Sequence, residues 1–402
     1  MEVFIEMFRH NFAVSNYDEM EEELAFLIKN SIYNECDIAI MPDAHQGKAH
    51  ASVGFTATYD DKIIPNTCGV DLCCRVSLFR IDGEINLDVL DKGIHEHVPS
   101  GNSIRQNEPI ESQQFPYKEL RCWNGIKDGE ERYRKSMGTL GSGNHAIWVE
   151  GNNNIYYLGI HCGSRNLGLR VANYYQELAI AARDARKKEI YDRYGQMITE
   201  KREKGYFNAI QQLIEIRKTE IAAEPIDDLC YIEGQDMEDY LHDMDMLRKW
   251  SYLNHYTIAS FIAMVTGWSY PEEISSIHNY VDTEHKIIRK GAIAAYEGEL
   301  GIIPLNMRDG SLIVRGKGNH DWNCSLPHGA GRILSRGEAR RTLDLVDYEK
   351  SMEGIYTTSV CSSTIDEAPD AYKPAELIEK AIGDNAEIIE HIYPIYNFKA
   401  KD

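Results

Sequence analysis

Residues 146–168 read AIWVEGNNNIYYLGIHCGSRNLG, and the fold prediction starts from this stretch. Segments 146–149 and 155–160 have the apolar and β-branched composition of two strands, and Gly-Asn-Asn-Asn at 151–154 is a turn sequence. From 169 to about 223 the pattern becomes helical and heavily charged. The sequence therefore predicts a β-hairpin that is followed at once by a long helical segment.

Outward from this hairpin, strands and helices follow in no regular alternation. Short apolar runs predict strands at 37–41, 75–81, 281–289 and 312–315. Periodicity predicts helices at 18–29, 239–265, 329–343 and 373–382, whereas the polar segment 100–130 predicts loop. A mixture of this kind indicates the α+β class.

The helical segment after the hairpin carries many basic side chains mixed with acidic ones. One interpretation is a solvated helical arm without a binding role. The other is a local landing surface for a polyanion. The basic residues are Arg183, Arg186, Lys187, Lys188, Arg193, Lys201, Arg202 and Lys204.

The composition restricts the class of protein. Of the 402 residues 43% are hydrophobic, which is enough for a sizeable core. The 43 Lys and Arg against 64 Asp and Glu give a net charge of −21, so non-specific coating of nucleic acid or anionic membranes is not expected. A polyanion would need a local basic patch or a bound metal. The nine scattered cysteines do not suggest a disulfide scaffold.

No targeting or membrane segment is expected from the sequence. The opening residues 1–12, MEVFIEMFRHNF, lack the apolar region of a signal peptide. The longest apolar stretch, around 259–265, is much shorter than a membrane span. We therefore expect a cytoplasmic protein that does not bind membranes.

Residues able to bind metals recur beside glycine at the ends of predicted strands. Glycine lets the backbone approach closely and a strand fixes the donor atom, so together these groups suit a metal site built on loop tips. Imidazole and thiolate donors suit zinc, iron, cobalt or manganese better than magnesium. Each group alone is more often structural. The groups are Asp43 and His45 near Gly47, Asp71 and Cys74 after Gly69, Asn144 with His145, His161 before Gly163, His278 with Asn279, and His328 before Gly329.

His328 stands apart because it precedes Gly-Ala-Gly-Arg and the predicted helix 329–343. A helix N-terminus is a natural phosphate site, and Arg332 adds a charged fork. An imidazole held there can act as a nucleophile on phosphorus. The alternative is a structural histidine at the N-terminal cap. The sequence contains no P-loop, GxSxG or HExxH motif.

Taken in order, the motifs resemble those of the RtcB family of RNA ligases. They are MPDAHQGKA at 41–49, GVDLCCR at 69–75, GTLGSGNH at 138–145, HCGSRNLG at 161–168, HNY at 278–280, RKGA at 289–292 and HGAGRILSR at 328–336. The resemblance runs from about Ile38 to Lys399. It implies one domain over 1–402, with a central β-structure, an active site in a deep cleft and a helical elaboration at about 170–265.

The resemblance also implies a reaction. RNA ends carrying a 3′-phosphate or a 2′,3′-cyclic phosphate are joined to 5′-hydroxyl ends with GTP and manganese, in RNA repair or tRNA splicing. His328 would match the nucleophile that carries GMP. Two Mn²⁺ ions would share the Cys74 thiolate, one ion bound by Asp71, Cys74 and His145 and the other by Cys74, His161 and His278.

Nucleotide and RNA contacts are implied in the same way. The nucleotide contacts would be Asn144, Asn306, Ser311, His328, Gly329, Ala330, Gly331, Arg332, Tyr372 and Lys399. Arg165 and Asn279 would lie near the RNA. The chain departs from the family at Trp148, where a guanine-reading Glu is usual, although Glu150 follows two residues later. Asn306 also replaces a Ser, so selectivity for GTP over ATP stays open.

Two other functions are compatible with the same residues. A metal-dependent phosphohydrolase or cyclic phosphodiesterase acting on RNA ends would keep the metal ligands without needing His328. A non-catalytic RNA-end binder would have no need of a nucleophile. The donor set adds a tension over the metal, because a thiolate with three imidazoles intrinsically favours zinc or copper over manganese.

Overall fold

The computed structural model describes residues 17–45, 47 and 51–400. Residues 1–12, Gln46, Lys48 and Ala49, which the sequence predictions included, lie outside this range. Among the described helices, none combines the length and the apolar composition that crossing a bilayer requires.

Sixteen strands and eleven α-helices make up the described chain, and the longest helices lie between the strands of its two halves. The strands are β1 (Ile38–His45), β2 (Val53–Thr58), β3 (Lys62–Ile63), β4 (Arg75–Arg80), β5 (Ala146–Asn152), β6 (Ile155–Cys162), β7 (Ile232–Glu233), β8 (Glu273–Ile277), β9 (Asn279–Asp282), β10 (Ile287–Lys290), β11 (Ala292–Ala294), β12 (Leu300–Asn306), β13 (Gly310–Gly316), β14 (Ser325–Pro327), β15 (Tyr356–Thr357) and β16 (Ala386–Lys399). The α-helices are α1 (Tyr17–Asn30), α2 (Leu87–His97), α3 (Ile110–Gln114), α4 (Trp123–Ile126), α5 (Glu130–Ser136), α6 (Arg165–Glu203), α7 (Phe207–Ala223), α8 (Gly234–Thr266), α9 (Arg336–Thr342), α10 (Leu345–Ser351) and α11 (Ala375–Ile382).

The predicted hairpin of β5 and β6 lies at the centre of the main sheet, whose strand order is β12-β13-β16-β5-β6-β4-β8. Neighbours along this path pair antiparallel, and β15 adds a short parallel pair to β16. The two ends of the sheet approach each other, since the Ile302 N–H of β12 donates to Ser276 Oγ of β8 at 3.0 Å. The sheet is therefore nearly closed, as the α+β prediction with a central β-structure requires.

A second antiparallel sheet has the order β1-β2-β10-β9. Only His278 separates β8 of the main sheet from β9 of this one. Phe55 and Ile288 of the second sheet belong to the same buried cluster as Tyr175 of α6 and Trp250 of α8. The short pairs β11-β14 and β3-β7 complete the described strands. The two sheets thus meet at a residue that was predicted to bind a metal.

Three helices, α6, α7 and α8, make up most of the range 170–265, so the predicted helical elaboration is confirmed. α8 is the most integrated, because Ile258 and Ile262 share a buried cluster with Leu158 and Ile160 of β6. α7, in contrast, has no buried residue. It packs along the C-terminal half of α6. We call residues 184–223 the arm.

The helix predicted directly after His328 is wrong in its start. Residues 329–335 are not helical, and α9 begins only at Arg336. Gly331 takes a left-handed φ of 72°, which interrupts a helix. The helix start is set instead by a capping box between Ser335 and Glu338. His328 therefore has no helix N-terminus beside it, and its environment must be read from tertiary contacts.

Two further local predictions are wrong. The segment 100–130 is not all loop, since α3 and α4 lie within it. The run 281–289 is not one strand, because β9 ends at Asp282 and β10 begins at Ile287. Lys286 between them takes a positive φ of 55°, as reversal in a tight turn requires.

Candidate active site

Neighbouring strand ends bring the predicted metal ligands together. Cys74 immediately precedes β4, His145 immediately precedes β5, and His161 is the penultimate residue of β6. Because β5, β6, β4 and β8 are consecutive in the main sheet, His278 after β8 reaches the same edge. Residues that are far apart in sequence therefore meet at one end of the sheet.

The five predicted ligands form two triads that share Cys74. Its Sγ atom lies 3.6 Å from His145 Nε2 and 3.3 Å from His161 Nε2. His161 Nε2 lies 3.3 Å from His278 Nε2, and His145 Nε2 lies 3.0 Å from Asp71 Oδ2. Within each triad all donor atoms fall within 4.8 Å of one another. This is the convergence that a pair of neighbouring metal ions needs.

Burial decides the protonation of this cluster. It lowers the pKa of His161 and His278 well below 6.5, so both imidazoles are neutral and can offer lone pairs. Burial, together with Asp71, raises the pKa of Cys74 well above 9.0, so a cation bound there would release the thiol proton. For Asp71, burial alone would raise the pKa, but His145 and its other neighbours outweigh it and hold the value at about 2. The donors thus fit a divalent metal ion.

Two asparagines support the ligand-bearing loops. Asn279 Nδ2 donates to the backbone oxygen of Asp71 at 3.1 Å, so this predicted RNA contact also holds a predicted metal ligand in place. Asn254 of α8 is fully buried. Its Oδ1 accepts the Gly138 N–H at 2.7 Å, and its Nδ2 donates to the Gly163 oxygen at 3.4 Å. Asn254 therefore ties together the loops that precede β5 and follow β6.

The triads open into a cavity of about 890 Å³. All ten predicted nucleotide contacts line it, namely Asn144, Asn306, Ser311, His328, Gly329, Ala330, Gly331, Arg332, Tyr372 and Lys399. Asn279 lines it as well, whereas Arg165 does not. The Arg165 guanidinium lies 3.4 Å from Nδ1 of His145, on the side opposite the ligating Nε2. Arg165 thus lies behind a predicted metal ligand, outside the cavity.

His328 is oriented by Asp43 of β1. Asp43 Oδ2 accepts hydrogen bonds from His328 Nδ1 at 2.7 Å and from the His328 backbone N–H at 3.1 Å. Nε2 of His328 is thereby left to face away from the carboxylate. The His328 ring lies 4.8 Å from the ring of His278, so the candidate nucleophile stands next to a metal triad.

Asp43 is itself held tightly, and sequence reasoning missed this role. The carboxylate is completely buried, and the Lys373 ammonium donates to the backbone oxygens of Pro42 and Ala44 on either side of it. A Cβ atom on Gly331 would come within 2.3 Å of the backbone oxygen of Asp43, so only glycine fits there. The sequence signal was present in MPDAHQG, but it was interpreted as a possible metal ligand.

A cluster of three cations surrounds a buried carboxylate in the same cavity. Glu367 Oε2 accepts from Lys399 Nζ at 2.9 Å and from the Tyr372 hydroxyl at 2.7 Å, and Oε1 lies 3.3 Å from Arg332 and 2.8 Å from Arg336. Burial alone would raise the pKa of Glu367, but the cations hold it at about 2. Arg336 also pairs with the buried Asp366 at 2.7 Å. Three cations thus gather at this wall of the cavity, which suits phosphate groups. No local sequence signal marked Glu367.

The far wall of the cavity carries a buried acid. Glu150 is 1% exposed and its Oε1 has no hydrogen-bond partner among the described residues. The Trp148 Nε1–H nearby is likewise buried without a partner there, and Ser311 completes this wall. The side chain of Asn306 is instead engaged in the β12–β13 turn, where it binds Asp309 at 2.8 Å. Glu150 and Trp148 thus place buried polar atoms at the cavity, where a ligand can meet them.

Comparison with known proteins identifies the family. The RtcB family, described as tRNA-splicing ligase RtcB, matches residues 30–121 and 111–400. The chain is 28% identical over 393 residues to the RNA-splicing ligase RtcB of Escherichia coli K12, covering 88% of this chain and 87% of that protein. It is 24% identical over 429 residues to the tRNA-splicing ligase RtcB of Aeropyrum pernix, covering 84% and 82%. The chain therefore belongs to the RtcB family and is an RNA ligase of RNA repair or tRNA splicing.

Proposed function

We propose that this ligase joins an RNA end carrying a 3′-phosphate or a 2′,3′-cyclic phosphate to a 5′-hydroxyl end. The reaction uses GTP and two Mn²⁺ ions, and His328 carries GMP between the nucleotide and the RNA. The observation that carries the proposal is the hydrogen bond from His328 Nδ1 to Asp43, which presents Nε2 beside a metal triad. We expect the reaction to take place in the cytoplasm.

The ions would be held by the two triads that share Cys74. Asp71, Cys74 and His145 would bind one ion, and Cys74, His161 and His278 the other. Bound there, such ions supply charge neutralisation at phosphate oxygens. The tension between manganese and the zinc-favouring donor set is resolved by measuring which ion supports activity and which ion copurifies.

The first step begins on His328. With the Nδ1 proton directed at Asp43, the lone pair lies on Nε2. Nε2 attacks the α-phosphorus of GTP, the bond to the β-phosphate oxygen breaks, and pyrophosphate leaves. Positive charge develops on the imidazole as the N–P bond forms, and the buried Asp43 carboxylate stabilises it. Arg332, Arg336 and Lys399 supply cations for the phosphates.

The later steps take place on RNA. A cyclic end is first opened by water to a 3′-phosphate. An oxygen of that phosphate attacks the phosphorus of GMP, and the electrons of the P–N bond return to Nε2 of His328. The 5′-hydroxyl oxygen then attacks the 3′-phosphorus, GMP leaves, and the hydroxyl proton passes to solvent.

The nucleobase would lie against the wall formed by Trp148, Glu150 and Ser311. Support comes from the two buried polar atoms there that have no partner among the described residues, Glu150 Oε1 and Trp148 Nε1. In this arrangement Glu150 recognises the base in place of the Glu that the family usually has at the position of Trp148. The choice between GTP and ATP then depends on the protonation of Glu150.

A ligation assay tests the proposal. Purified protein is mixed with Mn²⁺, GTP, a 3′-phosphate RNA and a 5′-hydroxyl RNA, with each component omitted in turn and with His328→Ala in parallel. We expect a joined product only in the complete wild-type reaction. Release of phosphate without joining, retained in His328→Ala, would favour the phosphohydrolase instead. Binding of RNA ends without any turnover would favour the non-catalytic binder.

A further inference from the structure

The turn between α6 and α7 forms the end of the arm. Its residues 201–207 read Lys-Arg-Glu-Lys-Gly-Tyr-Phe, and we call them the arm tip. Gly205 has a φ of 75°, which lets the chain reverse here. The two aromatic residues follow directly, so the turn presents them at the extremity of the arm.

The aromatic side chains at the arm tip are unusually exposed. Phe207 is 69% and Tyr206 is 57% accessible, and neither belongs to a buried cluster. Lys201 Nζ lies 5.3 Å from the centroid of the Tyr206 ring. Most large apolar side chains of the described chain are packed away, so two adjacent exposed rings need an explanation other than stability.

The arm tip carries three cations without an acidic partner in the described part of the chain, whereas some cations further along the arm are paired. Arg186 pairs with Glu224, and Arg193 pairs with Glu220. Among the described residues, Lys201, Arg202 and Lys204 have no acidic partner within ion-pair distance. On a chain with a net charge of −21, three unpaired cations beside two exposed rings form a distinct local surface.

We propose that the arm tip binds a single-stranded segment of RNA, with bases stacked on Tyr206 and Phe207 and phosphates paired with Lys201, Arg202 and Lys204. Sequence-tolerant binding of single strands combines stacking on aromatic rings with cations along the backbone, and both are present here. A protein partner or a second copy is disfavoured because lysine is depleted in protein–protein interfaces, whereas two of the three cations here are lysines. The proposal decides between the two interpretations of the charged helical segment in favour of a polyanion surface.

The continuous helix α6 connects this surface to the active site. Arg165, its first residue, contacts His145, whereas Glu203, its last, lies within the arm tip. At ~1.5 Å per residue, the 39 residues of α6 place the arm tip ~58 Å from the metal ligands. A stacked strand rising ~3.4 Å per nucleotide needs ~17 nucleotides to span that distance. That the same RNA also reaches the active site rests on the proposed function.

The first experiment measures binding without catalysis. Fluorescence anisotropy is recorded with an unstructured 40-nucleotide RNA over a salt series. We expect Tyr206→Ala with Phe207→Ala to raise Kd by about tenfold or more, because two stacking platforms are removed. The slope of log K against log salt is negative for such binding. Lys201→Ala, Arg202→Ala and Lys204→Ala together should make it shallower by ~2, because each lost phosphate contact removes ~0.7 from its magnitude.

A matched control removes three exposed lysines elsewhere, Lys118→Ala, Lys249→Ala and Lys380→Ala. It should leave the salt slope unchanged if the RNA binds at the arm tip. An equal fall in slope in both triple variants would overturn the proposal, because it would mean that only overall charge matters. An unchanged Kd in the aromatic variant would overturn it as well. The proposal would also be overturned if wild-type protein were a dimer and the Tyr206→Ala, Phe207→Ala variant a monomer with unchanged RNA affinity.

A second experiment separates this inference from the proposed function. In ligation assays the arm-tip variants should have a raised KM for a 40-nucleotide 3′-phosphate RNA. Their KM for an 8-nucleotide 3′-phosphate RNA should be unchanged, because that RNA is too short to reach both the arm tip and the active site. Labelling of His328 by GTP should be unchanged in these variants. Should wild-type protein fail to ligate at all, the anisotropy result still stands or falls by itself.

Discussion

At neutral pH the carboxyl group of Glu150 is mostly protonated. Burial raises its pKa to about 8, although the neighbouring Ser311 and Trp148 side chains act in the opposite direction. With that value, roughly a tenth of Glu150 is ionised at pH 7 and roughly three-quarters at pH 8.5. The residue proposed to read the base therefore changes its hydrogen-bonding character within the range in which the enzyme can be assayed.

The two protonation states favour different bases. An ionised carboxylate only accepts hydrogen bonds, which suits the two N–H donors on the Watson–Crick edge of guanine. A protonated carboxyl both donates and accepts, which suits the adenine edge. Between pH 7 and 8.5 the state suited to GTP rises about eightfold and the state suited to ATP falls about fourfold. The ratio of GTP to ATP labelling should therefore rise by about thirtyfold.

The assay is labelling of His328 with either nucleotide at subsaturating concentration across this pH range. Taking the ratio cancels pH effects on His328 and on the metal ligands, because both nucleotides share them. Glu150→Gln presents a donor and an acceptor at every pH, so its ratio should be flat, whereas Glu387→Gln, an exposed residue of β16, should behave like wild type. A flat wild-type ratio, or the same slope in Glu150→Gln, refutes the reasoning.

Stability provides an independent check on the pKa of Glu150. Its folded-state pKa of about 8 lies above the unfolded value of 4.5, so the folded state binds the proton more tightly. Relative to Glu150→Gln, wild-type stability should be greatest below pH 4.5 and should fall as the pH rises through 8, by at most ~5 kcal/mol. Denaturant unfolding of both proteins at pH 6 and pH 8.5 measures the difference.

The remaining predictions concern the metal centre and the nucleophile. Cys74→Ala should lose both metal ions, because the thiol belongs to both triads, and metal analysis of purified protein measures this. Asp43→Asn should slow labelling of His328 by ~100-fold or more in single-turnover assays, because the tautomer and the stabilising charge are both lost. Lys399→Met should raise KM for GTP by ~10-fold, because it removes a charged hydrogen-bond donor from the cavity wall around Glu367, where we expect the phosphates to bind.

Each of these has a matched control or a contradicting result. The adjacent Cys73 points its thiol at Met244, 3.4 Å away, so Cys73→Ala should keep both ions. Full metal content in Cys74→Ala would exclude the shared ligand. Wild-type labelling rates in Asp43→Asn would show that the carboxylate is not needed to orient the imidazole. A lower kcat at constant KM in Lys399→Met would place that side chain at the reacting phosphorus.

Sequence patterns predicted the parts of the molecule that are local or carry distinctive residues. The hairpin of β5 and β6 follows from apolar, β-branched composition and an Asn-rich turn, and it lies at the centre of the main sheet. The metal ligands share a recurring setting beside glycine at strand ends. The geometry brings all five of them together in the two predicted triads.

What the sequence missed depends on long-range pairing. β16, at residues 386–399, inserts between β13 and β5, yet nothing in its local pattern placed a strand in the sheet centre. Glu367 meets Lys399 and Arg332 only after the chain has folded, so no local sequence signal indicated that it would lie beside these cations in the cavity wall. The helix predicted at 329–343 exists only from Arg336 to Thr342, because hydrophobic periodicity does not register the left-handed Gly331 before it.

The most direct test of the proposed mechanism is covalent labelling of His328. Protein is incubated with Mn²⁺ and GTP labelled at the α-phosphate, denatured, and then treated with acid, with His328→Ala alongside. The mechanism predicts a label that survives denaturation, is lost in acid as a P–N bond requires, is absent from His328→Ala, and transfers to added 3′-phosphate RNA. A label that persists in His328→Ala, or wild-type protein that ligates RNA without ever becoming labelled, would contradict it.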